Sequence, residues 1–171
     1  MLRLAKAFWD IALWRKSPAQ LPASVFLLVL VSTAVGLLEV LGALLPPGPS
    51  DRILTRVALS VGLPLAFIWV VLALMRRRQR FLQTGSALMG VAVLAQLVLY
   101  PLGALLNTIG SDHLASIPLG ILLFAGLIWY LLACAHIWRS ALDSGLALGA
   151  TISVGYLLLS IVLDQALLPD T

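Results

Sequence analysis

Charge is what this sequence has least of. Lysine, arginine, aspartate and glutamate supply 11% of its 171 residues, where a soluble domain carries about 25%. Apolar residues reach 61%, so an ordinary water-soluble globule is excluded. Cysteine occurs once, at Cys134, and no disulfide can form within the chain. Histidine is almost as scarce, and Cys134-x-His136 has no second pair to complete a zinc shell. No serine, cysteine or threonine has a recognisable base partner, and no glycine-rich phosphate loop follows a strand. Hydrolase and transferase chemistry therefore have no residues to stand on. Neither cofactor nor metal is expected, and a non-enzymatic protein is the expectation.

What is present is a series of long apolar runs, organised around Arg76-Arg77-Arg78-Gln79-Arg80. So dense a charge cannot lie in hydrocarbon and marks a loop at one membrane face. The spacing predicts spans over about 21–45, 53–75, 81–106, 117–138 and 145–168, each long enough for a core that needs roughly 20 residues. Pro46-Pro47-Gly48-Pro49 and Asp51-Arg52 form the turn after the first span, and Asn107 to Ser116, with Asp112 and His113, a polar loop after the third. Pro64 falls inside the second span and Pro101 near the end of the third. The fold class expected is all-α: a polytopic membrane bundle of five helices forming a single domain over 21–168. Residues 1–16 precede it as an amphipathic helix, with Arg3, Lys6 and Asp10 on one stripe and Leu4, Phe8, Ile11 and Ala12 opposite. That helix is expected to lie in the interface, meeting anionic lipid headgroups rather than acting as a cleaved signal.

Orientation follows from the cations. Arg3, Lys6, Arg15, Lys16, the four arginines of the knot and Arg139 fall on one side, and only Arg52 and Arg56 on the other. Positive loops stay inside, so the amino terminus is expected in the cytoplasm and the carboxyl terminus outside. The net charge of +4 is thereby explained by topology, and no nucleic-acid partner is expected. Trp14, Trp69, Trp129, Tyr130 and Trp138 are expected in the interfacial aromatic belts.

Glu39 is the ionisable residue set well inside an apolar run. A carboxylate there is costly unless paired, protonated or wetted. Arg56 could reach it as a structural tie, and Gln96, Tyr100 or Ser160 could donate hydrogen bonds instead. A proton- or ion-handling role, or a position of no special consequence, are the other readings. On the last span Gly145 and Gly149 form a GxxxG, extended by Ala141 and Ser153. Such small residues allow close helix packing, within the monomer or in a homodimer. Ser32 and Gly36 make a weaker pair on the first span.

The stretches His136 to Tyr156 and Leu13 to Ser24, together with the five-span layout, resemble short bacterial inner-membrane members of the YIP-type family, the Rab-GTPase-interacting membrane proteins. The resemblance implies an integral membrane protein that organises or assembles a membrane complex or shapes the bilayer. Partners would be lipid, other membrane proteins or a second copy. A small transporter or permeation subunit using Glu39 is the alternative, and a membrane enzyme the last choice.

Overall fold

The computed structural model describes residues 2–43, 52–109 and 114–167, without the side chains of 2–5 and 19. The expected proline turn with Asp51, the pair Asp112 and His113, Asp170 and the Arg3 side chain lie outside that description. Six helices carry the described chain: α1 Leu2–Ala12, α2 Val25–Ala43, α3 Ile53–Leu74, α4 Phe81–Ile109, α5 Ser116–Leu142 and α6 Leu146–Leu167. Helices α2 to α6 are long and apolar enough to cross a membrane, and the protein is a multi-pass helix bundle. Hydrocarbon offers no water to backbone amides, so each apolar run satisfies its own as a helix.

Local chemistry moves the boundaries. The first crossing helix begins at Val25 rather than Leu21, because Ser24 caps it. The Ser24 hydroxyl accepts from the Leu27 N–H at 3.3 Å and its carbonyl from the Leu28 N–H at 3.1 Å, covering donors that a helix start leaves open. Pro18 to Gln20 form a separate 3-10 turn before it. Helix α5 runs past Trp138 to Leu142 and stops where Asp143 turns left-handed, with φ 51. The N–H groups of Asp143 and Ser144 both return to the Arg139 carbonyl, which closes the last turn. Pro64 and Pro101 lie inside α3 and α4, which continue through them.

The crossing helices form a closed ring. Helix α2 packs on α3, α3 on α6, α6 on α5, α5 on α4, and α4 back on α2. Burial is uneven along this ring. In α3 the buried residues are Ile68 and Leu72; in α4 they lie between Thr84 and Ala95; in α5 they lie between Ala133 and Leu142; in α6 they are Gly149 and Ser153. All belong to the half of each helix nearest Arg76 to Arg80. The core therefore fills the arginine end, and the far half is more open. Trp138 and Tyr130 turn inward rather than joining an aromatic belt: Trp138 is buried, with its ring against Phe67 at 6.2 Å. Trp69 and Trp14 stay exposed.

At the arginine end the knot is split in two. Arg77 Nη1 meets Asp143 Oδ2 at 2.6 Å and Arg80 Nη2 meets the same oxygen at 2.9 Å. Arg80 also donates to the carbonyls of Ser140 and Ala141 at 2.9 and 3.0 Å, exposed acceptors of a helix terminus. The Arg80 bond first, and then the charges of Arg80 and Arg77, hold the Asp143 carboxyl below its ordinary value of 3.8. Arg76 and Arg78 are exposed, and the Arg78 guanidinium lies 5.3 Å from the centre of the Trp69 ring.

Helix α1 ends at Ala12, short of the expected Lys16. Trp14 turns left-handed (φ 62), and the Arg15 and Lys16 N–H groups donate to the Asp10 carbonyl at 2.7 and 3.2 Å. Asp10 itself is buried and pairs with Lys16 at 3.3 Å. The apolar stripe expected to face lipid is covered by protein instead. Phe8, Ile11 and Ala12 are buried against α4 and α5, with the Phe8 ring seated over Gly90. Gly90 lies nine residues into α4, about 14 Å along its axis at about 1.5 Å per residue. The helix thus leans into the bundle. Trp14 stacks on His136, and Ser17 bonds Ser140 at 2.7 Å.

Two predictions come from this packing. A Cβ on Gly149 would collide with the Ala135 carbonyl and stand 3.2 Å from the Arg139 nitrogen, whereas one on Gly145 meets nothing within 4 Å. Gly149→Leu should cost at least about 1–3 kcal/mol, read as a lower midpoint of thermal unfolding in detergent, while Gly145→Leu stays near the parent. The second concerns Asp143. Its depressed value means that the clasp stabilises the fold above pH 3.8 and is lost as pH falls through the folded value. Asp143→Asn should therefore melt below the parent near neutrality and match it in strong acid. Added salt should narrow the gap, because the group is exposed.

Candidate functional site

Glu39 and Gly42 sit one turn apart on α2, and Gln96 and Tyr100 one turn apart on α4. Residues at these separations share a helix face, so both pairs meet where the two helices cross. Tyr100 donates its hydroxyl hydrogen to Glu39 Oε2, and Gln96 Nε2 donates to the Tyr100 oxygen at 3.2 Å. Gly42 makes the approach possible: a Cβ there would stand 2.8 Å from the Tyr100 ring. Glutamate, tyrosine and glutamine thereby form one chain of hydrogen bonds between neighbouring helices.

Arg56 takes no part in that chain. No ion pair joins it to Glu39 among the described residues, and its buried Nε has no hydrogen-bond partner. Of the two kinds of partner expected for Glu39, the tyrosine is present and the arginine tie is not. Arg56 instead faces a space of about 250 Å³ that it shares with Glu39, Ser60, Tyr156, Ser160 and Asp164.

That space adjoins a larger one. A cavity of about 330 Å³ runs inside the ring, and Glu39, Ser60, Tyr156 and Ser160 line both spaces. Below Glu39 its walls turn apolar, with Phe67, Ile68, Met89 and Leu131 leading to Trp138. The smaller space follows the seam between α3 and α6 toward the far end, where Asp164 is exposed and Arg52 Nη1 donates to the Leu167 carbonyl at 3.2 Å. The arrangement is an apolar chamber with a polar mouth. It can hold a molecule and orient one end of it.

Of the remaining sequence candidates, on the helix-packing faces and in the arginine knot, only Ser153 touches the cavity. Gly149 faces α5 closely, Ser153 is buried at the cavity wall and donates to the Gly149 carbonyl at 2.9 Å, and Gly145 is exposed before α6 begins. Arg76, Arg77, Arg78 and Arg80 lie at the opposite end of the bundle from Arg56 and Asp164. Sequence reasoning overlooked Gly42, Asp164 and Tyr156 as site residues. The i, i+3 spacing of Gly42 from Glu39 was a readable signal; the Tyr156 and Asp164 positions depend on how α6 rotates against α3.

Comparison with protein-family models, curated proteins and solved structures found no match for this chain.

The hydrogen-bond chain makes a test of its own. A double-mutant cycle of Glu39→Ala with Tyr100→Phe should show coupling of about 0.6 kcal/mol, and at most about 1.7, as polar pairs in membranes do. The cycle of Glu39→Ala with Arg56→Ala should show less. Unfolding of the purified protein in bicelles reads both.

Proposed function

We propose that the protein is a non-enzymatic membrane protein that admits a small, mostly apolar guest into the ring of α2 to α6, as a binding or permeation component. The observation that carries this reading is the pair of adjoining cavities meeting at Glu39. Their size is sufficient, since an apolar void of about 150 Å³ already accepts benzene in a soluble protein. Convergent polar groups at one end of an apolar chamber are the ordinary form of a small-molecule site.

The arginine end is assigned to the cytoplasm and the far end to the outside of a bacterial inner membrane, on the excess of nine cations over two. The guest then enters from outside, along the α3–α6 seam. The complex-organising role implied by the YIP-type resemblance is the second reading. It is favoured by Arg76 and Arg78, exposed beside Trp69 and available to anionic headgroups or an acidic partner.

Cysteine labelling tests the first reading and the orientation together. In a Cys134→Ala background, Ser160→Cys should react with a charged, membrane-impermeant maleimide added to intact cells. Gln79→Cys should react only in inverted vesicles. A Ser160→Cys protein that labels from neither side, or only from the side that labels Gln79→Cys, removes the outward-facing cavity.

A further inference from the structure

We infer that the guest is a lipophilic amine, whose ammonium or amine head docks at Glu39 and whose hydrocarbon body occupies the chamber below. This rests on the cavity-binding reading above and adds its chemistry. Tyr100 has committed its hydrogen to Glu39, and Gln96 one of its amide hydrogens to Tyr100. Ser60, Ser160 and Ser153 have each committed theirs to carbonyls of their own helices, Val57 at 3.1 Å, Leu157 at 2.8 Å and Gly149 at 2.9 Å. What these hydroxyls still offer is lone pairs. Gln96 Oε1 is buried without a partner, and a buried acceptor left unmet is costly. Around Glu39 and Gln96 the uncommitted groups are therefore mostly acceptors, and Arg56 Nε, a buried donor without a partner, belongs to the outer space.

Charge points the same way. Glu39 and Asp164 are two carboxyl groups around the single cation Arg56 in the outer space, so the formal sum there is one negative charge. Arg56 lines that outer space and not the wall of the chamber, where Glu39 is the only charged residue among those described. A carboxylate-headed guest would bring a third negative group to this mouth. An ammonium head would supply donors to Glu39 and to Gln96 Oε1 and restore neutrality. Aromatic faces continue the site downward: Phe67 sits 5.1 Å from Tyr156 and 6.2 Å from Trp138, centre to centre, and such rings attract cations as well as hydrocarbon.

Three probes of one chain and different heads separate the possibilities: octylamine, octanol and octanoate, titrated calorimetrically into the full chain in nanodiscs, with subtraction of empty nanodiscs. Octylamine should bind about tenfold or more tighter than octanol, the yield of a charge-assisted hydrogen bond, and octanoate weakest. Glu39→Gln, which keeps an acceptor for Tyr100, should erase the preference for amine over alcohol. Asp164→Asn should reduce that preference in part. Ala92→Phe, a cavity-wall substitution, should abolish all three. Equal affinity for amine and alcohol, or an amine preference that survives Glu39→Gln, overturns the inference while the cavity reading stands. Tightest binding of octanoate overturns it in favour of Arg56. No saturable binding of any probe overturns the inference and the cavity reading together.

Discussion

Asp143 holds one end of this bundle shut. It sits at the left-handed stop of α5, where two arginines from the turn between α3 and α4 converge on its carboxylate. One of them, Arg80, also covers the carbonyls of Ser140 and Ala141. A charge-rich loop is commonly treated as a solvated feature that only sets topology. Here half of it is a fastener joining the α3–α4 hairpin to the α5–α6 hairpin. An exposed ion pair alone contributes little, but a shared carboxylate with bonds to a helix terminus forms a network.

Most of the buried core lies near that fastener. Gly149 lets the α6 backbone approach Ala135 and Arg139, and Gly90 gives Phe8 of α1 a seat between α4 and α5. Hydrocarbon solvates leucine as well as a protein interior does, so helices in a membrane gain little from apolar contact alone. Close backbone approach and polar fastening supply what holds them, and at the arginine end they are Gly149 and the Asp143 network. The far halves of α3, α5 and α6 bury no side chain completely, and the cavities open between them.

The polar chain of Glu39, Tyr100 and Gln96 stands at the boundary between these two regimes. It links α2 to α4 and also forms part of the cavity wall. A carboxyl group at that depth is costly, and Tyr100 offsets part of the cost while leaving one carboxyl oxygen facing the space. The same group thus steadies the ring and gives the chamber its polar end.

The number of crossing helices and their approximate extent were determined by the sequence alone, because apolar runs in hydrocarbon have one way to satisfy their backbone. Glu39, Gln96, Tyr100 and Arg56 were legible as candidates for the same reason: polar groups stand out against so apolar a background. Helix ends were less so, since Ser24 and Asp143 act through single hydrogen bonds and one left-handed residue. Partner choice was not legible at all. Whether Glu39 meets Arg56 or Tyr100 depends on the rotation of α2 against α3 and α4, and a stripe of leucine, valine and alanine is nearly uniform around each helix. Likewise nothing in the order of residues places α6 beside α3, which creates the seam, or folds α1 back onto α4 and α5. Hydropathy determines that a helix crosses; only the contacts of small residues and a few polar side chains decide which face it turns to its neighbours.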